Sequence, residues 1–202
     1  MKLNDLYKLE KKDIDRSTDV AAKAFFDYPM NKYILGDNHN LDNIKIITRF
    51  IIKYCILYGQ AYASSPEIEG IILYSAFSNY KFSLFRSLRA GAISLYKLGR
   101  DAGKRFNEYD QFCLKKHKES IKEPHQYIIL LGVNPEFQGQ GYGKKLLLSV
   151  LQAAEKKGEP CYLETHTYEN VSIYRKFGFE IVSEEKIPGT DIVNWAMVKR
   201  TG

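Results

Sequence analysis

Cysteine is scarce in this chain and scattered where it occurs. Cys55, Cys113 and Cys161 form no C-x-x-C pair, which argues against a structural zinc site and against a disulfide framework. The opening stretch "MKLNDLYKLEKKDID" lacks a continuous apolar core, and no run is long and apolar enough to span a bilayer. The expectation is a chain without a secretory signal or membrane partner, located in the cytoplasm. A dense basic tract is missing too. The net charge is +6, but the cations are spread out, which favours anionic ligands mildly and argues against nucleic acid as a partner. Internal repeats and low-complexity segments are absent. What remains is an ordinary globular balance: 202 residues, 45% hydrophobic and 27% charged. That suits one domain over 1–202, able to bury a core without staples.

Hydrophobic spacing then orders the elements. A short strand is predicted over residues 5–10. A helix starts near Asp13, with Ile14, Ala21, Ala22 and Phe25 on one face, and is ended or kinked by Pro29. A second helix runs from about Leu41 to Tyr58 and closes at Gly59. "QAYASS" and "IEGIILYSAF" read as an antiparallel pair. Residues 79–123, rich in basic and aromatic residues, interrupt this as an insertion of two or three helices. Strand patterning returns at "YIILLGV", followed by a helix from about Gly141 to Lys157. "CYLETHT", "FEIVSEEKI" and "DIVNWAMVK" are further strands, and "NVSIYRKF" is a short helix. The class predicted is α+β, with a mixed sheet and helices on both faces.

The most informative stretch is "GVNPEFQGQGYGKKLL", where a strand passes through glycines into a helix. A helix N-terminus offers unpaired N–H groups and a partial positive charge, so phosphate is its natural guest. Two familiar nucleotide loops fail on specific residues. The dinucleotide pattern G-x-G-x-x-G needs a third glycine where Lys144 stands. The G-x-x-x-x-G-K-[ST] pattern needs a glycine at Gln138 and a hydroxyl at Lys145.

The stretch instead resembles the Q/R-x-x-G-x-G/A signature of the GCN5-related N-acetyltransferases. "GV-x-P" lies upstream, and Asn170, Tyr174, Gly178 and Phe179 give the downstream pattern "N-x-x-x-Y-x-x-x-GF". The resemblance covers residues 126–200 well, while 5–78 fit only the usual element order and 79–123 fall outside it. It implies a mostly antiparallel sheet with two splayed parallel strands, acetyl-CoA as cosubstrate and no metal. It also implies transfer to a primary amine of a small molecule or peptide by direct attack in a ternary complex. The main chain of Leu131 and Val133 would meet pantetheine, with an N–H near Val133 as oxyanion donor. Gln138, Gly139, Gln140, Gly141, Tyr142, Gly143 and Lys144 would hold the pyrophosphate. Asn170 would cap its helix and bond the pantetheine arm, and Tyr174 would be the general acid. For the base, Glu164 and His166 share one face of their strand. Glu164 is the first choice, with His166 or water in reserve; His39, His117 and His125 are expected at the surface. Phe26, Tyr28, Tyr33, Tyr80, Phe82, Phe85, Arg86, Arg89 and Tyr96 are candidates to wall an acceptor pocket, although packing onto the sheet is the favoured reading for most. Cations there would disfavour a polycationic acceptor and tolerate an acid-bearing one. The loop leaves open transfer of another acyl group, a non-catalytic acyl-CoA-binding role, and homodimerisation.

Overall fold

A computed structural model describes residues 3–81 and 83–201; Phe82 lies outside the described residues. Among the described residues seven strands make one sheet: β1 (Tyr7–Lys8), β2 (Gln60–Ala63), β3 (Gly70–Ala76), β4 (Gln126–Val133), β5 (Cys161–Thr165), β6 (Glu180–Lys186) and β7 (Val193–Lys199). Their order is β1-β2-β3-β4-β5-β7-β6. Every neighbouring pair is antiparallel except β4 and β5.

Alternation along the strands sorts side chains onto two faces. Ile72 and Tyr74 of β3 join a core with α6 (Tyr142–Glu155) and α7 (Tyr168–Arg175). Ile71 and Leu73 point the other way, into a core with α1 (Ile14–Ala24) and α3 (Leu41–Tyr58). Leu146, Leu147 and Val150 fall at helical spacing on α6 and are almost wholly buried, each stabilising by about 2 kcal/mol. This is the α+β sheet with helices on both faces that the sequence predicts.

Pro29 does something other than end a helix. The first helix has already stopped at Ala24, and Pro29 is the first residue of α2 (Pro29–Leu35). A fixed φ and a missing N–H cost nothing at that position. The segment 79–123 contains α4 (Leu84–Ala90), a 3₁₀ stretch over Ala92–Leu98 and α5 (Arg100–Ser120). The last of these lies on the sheet beside β6 and β7. Phe85 and Tyr96 do not pack there; they are 66% and 86% exposed.

His117 and His125 are buried, contrary to the surface expectation. Their Nε2 atoms are 2.7 Å apart, and His117 stacks on Tyr162 at 3.6 Å. A neutral imidazole has one donor and one acceptor nitrogen, so two such rings satisfy each other inside a core. Burial holds His117 down at about 3 and lowers His125 as well.

Candidate active site

The geometry of β4 makes the site. Its base is paired normally: Gln126 registers with Cys161 and Tyr127 with Tyr162, and the Gln126 N–H reaches the Pro160 carbonyl at 2.9 Å. Beyond Tyr127 the two parallel strands have no further paired residues and part company. On its other side β4 has a register break, where Leu73 pairs with Leu130 and Tyr74 with Ile128. Ile129 is therefore an extra residue, a bulge that bends a strand and shifts its alternation by one. The side chains show the shift. Ile128 and Leu131 face the α6 core, whereas Ile129 and Leu130 both face the α3 core. Further along, Asn134 N–H donates to the Glu69 carbonyl on the β3 side at 2.8 Å. By alternation the main-chain groups of Leu131 and Val133 turn the opposite way, into the gap. Gln138 Nε2 donates to the Val133 carbonyl there at 3.2 Å.

The glycine loop follows. Gly139 and Gly141 have φ of +77° and +87°, a region that side chains with a Cβ avoid. Gly141 is the residue preceding α6. A Cβ at either glycine would meet nothing within 4 Å, so the space over the loop is open. The N–H groups of Tyr142, Gly143 and Lys144 belong to the first turn, where the helix itself supplies no acceptors. The two lysines differ. Lys145 Nζ donates to the Ser64 carbonyl at 2.7 Å and pins the helix to the end of β2, while Lys144 is exposed. An anion reaching this helix opening would find the N–H groups of the first turn, the positive helix end and the exposed Lys144, which fits a pyrophosphate.

Where the strands separate, a cavity of about 100 Å³ opens, lined among others by Ile129, Leu131, Glu164, His166, Asn170 and Tyr174. Glu164 sits beneath α5. Both of its oxygens accept phenolic hydrogen bonds, Oε2 from Tyr127 at 3.0 Å and Oε1 from Tyr162 at 2.9 Å. Burial pushes its pKa up to about 7; the two phenols oppose that rise, and the carboxylate of Asp110 adds to it. His166 shares its face of the strand, as alternation requires, with Nδ1 3.1 Å from Tyr28 Oη. Burial holds that imidazole down at about 4, against a smaller opposite pull from Asn194. Tyr28 also accepts from the His166 N–H at 3.0 Å and lies 3.2 Å from Thr165 Oγ1, fixing the end of β5. Tyr174 lines the same cavity, and burial raises its phenol above the ordinary value. Three larger hollows, about 480 Å³ beside His125, about 520 Å³ beside Tyr96 and about 420 Å³ beside Lys23, share none of the described residues that line this cavity.

Asn170 does not cap its helix. That place belongs to Thr167, extended at φ −133° and ψ 139°, whose hydroxyl accepts from the Asn170 N–H at 3.4 Å. With the cap filled, Asn170 lies one turn in and its side chain faces the cavity. Of the aromatic residues singled out as a wall, Tyr28 reaches the cavity, whereas Phe85 and Tyr96 face solvent. Arg86 lies over the Tyr58 ring and Arg89 over Phe85, so neither cation lines it. Sequence reading missed Tyr109, Tyr127 and Tyr162. Tyr162 has a signal in retrospect, since it precedes Glu164 by two residues on one strand. Tyr127 and Tyr109 have none, because they arrive from β4 and α5.

The acetyltransferase (GNAT) family profile matches residues 90–179, which takes in α5 as well as the glycine loop and Tyr174. An uncharacterised N-acetyltransferase of Schizosaccharomyces pombe is 28% identical over 179 residues, covering 85% of this chain and 72% of its own. Two solved structures share the fold. One is the histone acetyltransferase HPA2 and related acetyltransferase from Corynebacterium glutamicum, with TM-score 0.65, 18% identity and coverage of 98% and 96%. The other is the C-terminal condensation domain of Ebony in complex with beta-alanyl-dopamine, with TM-score 0.73, 9% identity and coverage of 97% and 98%. The acetyltransferase (GNAT) family is thus what this chain resembles in sequence over residues 90–179, and it shares the fold of solved acetyltransferases over nearly its whole length.

Proposed function

We propose that this protein is an N-acetyltransferase that transfers the acetyl group of acetyl-CoA to a primary amine of a small molecule or peptide. The observation that carries the reading is a carboxylate with a pKa near 7, Glu164, facing the place where β4 and β5 diverge. A general base works best when its pKa lies near the operating pH. Likeness to the acetyltransferase (GNAT) family points to the coenzyme, and the open, left-handed glycine loop at the head of α6 suits its pyrophosphate. We assign that contact to residues 138–144, and the pantetheine arm to Asn170 and the main chain of Leu131 and Val133. When bound, acetyl-CoA supplies an activated acetyl carbonyl and a sulfur leaving group.

The residues of the chain then divide the work. Glu164 takes a proton from the acceptor ammonium, freeing the nitrogen lone pair for direct attack. A main-chain N–H near Val133 faces the gap and polarises the acetyl oxygen. Tyr174 stays protonated at working pH, because burial raises its phenol, and so serves as proton donor to the departing sulfur. His166, near 4 and already engaged by Tyr28, is the weaker base of the pair.

The test is release of free thiol from acetyl-CoA in the presence of an amine panel, run beside calorimetry with coenzyme A. Tyr174→Phe is expected to lower turnover about a hundredfold, the range of general acid catalysis, with coenzyme affinity nearly unchanged. Coenzyme binding without thiol release for any amine would leave a non-catalytic acyl-CoA-binding role. Thiol release only with longer acyl donors would redirect the acyl group.

A further inference from the structure

The reacting cavity has an electrostatic bias that bears on what the acceptor is. Among the described residues lining it there is no lysine and no arginine. Its charged group is the Glu164 carboxylate, and Asp110 stands behind that carboxylate on α5. The remaining polar lining is neutral: the hydroxyls of Tyr28, Tyr109, Tyr127, Thr165 and Tyr174, the Asn170 amide, and His166. Tyr127, Tyr28 and Thr165 already have partners within the protein. The aromatic rings of Phe25, Tyr28, Tyr109 and Tyr127 supply the apolar wall.

An ammonium entering such a space gains a carboxylate and several ring faces. A carboxylate entering with it would be stripped of water, set near Glu164, and given no cation. Burying an unpaired charge of that kind is strongly unfavourable.

Resting on the acetyltransferase reading above, we propose that the acceptor is a primary amine with an apolar or aromatic body and no carboxylate next to the amine. α-Amino acids are excluded from the class, and aminoalkyl compounds are included. The cations of residues 79–123 do not reverse this, because Arg86 and Arg89 lie over rings away from the cavity.

Matched pairs test the proposal directly. Thiol release would be measured for tyramine against tyrosine, phenethylamine against phenylalanine, and propylamine against alanine. The expected result is at least a tenfold higher kcat/KM for each decarboxylated partner. Tyr109→Leu, checked for an unchanged melting profile, is expected to raise KM for phenethylamine severalfold more than for propylamine. Equal or better rates with the amino acids would overturn the acceptor assignment and leave the acetyltransferase reading standing. No thiol release with any amine, despite coenzyme binding, would overturn both.

Discussion

At one end of the cleft, Gly139 and Gly141 hold left-handed conformations under open space, and the groups on offer are backbone N–H donors and the exposed Lys144. At the other end, Glu164 lies beneath α5 with both oxygens taken by phenols from two different strands. The first region needs no particular side chain, only the absence of one. The second is made of side chains brought together from β4, β5 and α5. A feature shared by every substrate turnover, the gripping of a diphosphate, sits where geometry alone does the work. Acid–base chemistry sits where burial can tune a pKa.

Removing the Glu164 charge gives the sharpest contrast. Glu164→Gln is expected to lower kcat/KM by at least a hundredfold and leave coenzyme affinity within about twofold. In the parent protein kcat/KM should rise with pH up to about 7 and level off, since the base must be deprotonated. Stability should move oppositely. The folded-state pKa is raised from 4.5 to about 7, so this contribution is fully present below 4.5 and is lost as pH rises through 7. The loss is on the order of 3 kcal/mol at most. Urea midpoints across that range should fall in the parent and stay flat in the variant; parallel profiles would show that Glu164 does not titrate there.

The loop should answer the reverse experiment. Gly141→Val places a β-branched residue at φ +87°, where only glycine is unstrained. Coenzyme affinity is expected to fall about tenfold, with the acid limb near pH 7 unchanged and kcat at saturating coenzyme reduced little. A shifted limb would mean that the two ends are coupled.

That contrast also explains what could be read from the chain. The loop is local: residues 138–144 announce it by glycine spacing, and the strands and most helices announce themselves by period. The parting of β4 and β5 was visible only through family resemblance, because it depends on Ile129, a bulge that leaves no mark in "YIILLGV". Tyr127, Glu164 and Tyr162 meet across β4 and β5, while Tyr109 and Asp110 come from a segment set aside as an insertion. The same limit misplaced His117 and His125. Two lone histidines look like surface residues until the fold brings their Nε2 atoms to 2.7 Å. Asparagine suits a cap, which makes Asn170 the expected one, but Thr167 also suits that place and comes first.

Tyr127→Phe probes the clamp without removing the base. It deletes the donor to Glu164 Oε2 at 3.0 Å, a bond that favours the ionised form. A hydrogen bond to a charged group contributes about 1.5–3 kcal/mol, so the acid limb of kcat/KM should move up by about one to two pH units. The rate above pH 9 should stay near the parent's. A uniform drop at all pH values would instead assign Tyr127 a packing role.

The smallest effect is expected at the lysine pair, and it separates binding from architecture within two adjacent residues. Lys144 is exposed at the first turn of α6, so Lys144→Ala should weaken coenzyme binding two- to fivefold at low salt. The difference should vanish by about 0.5 M salt, as screening predicts for an exposed charge. Lys145 reaches the Ser64 carbonyl, so its loss removes a tether between α6 and β2. Lys145→Ala should lower the unfolding midpoint in urea by about 1 kcal/mol equivalent and keep that deficit at high salt for as long as the tether is a hydrogen bond. If Lys145→Ala instead reproduced the salt-sensitive binding loss of Lys144→Ala, the coenzyme would be drawing on both cations and the tether would be dispensable.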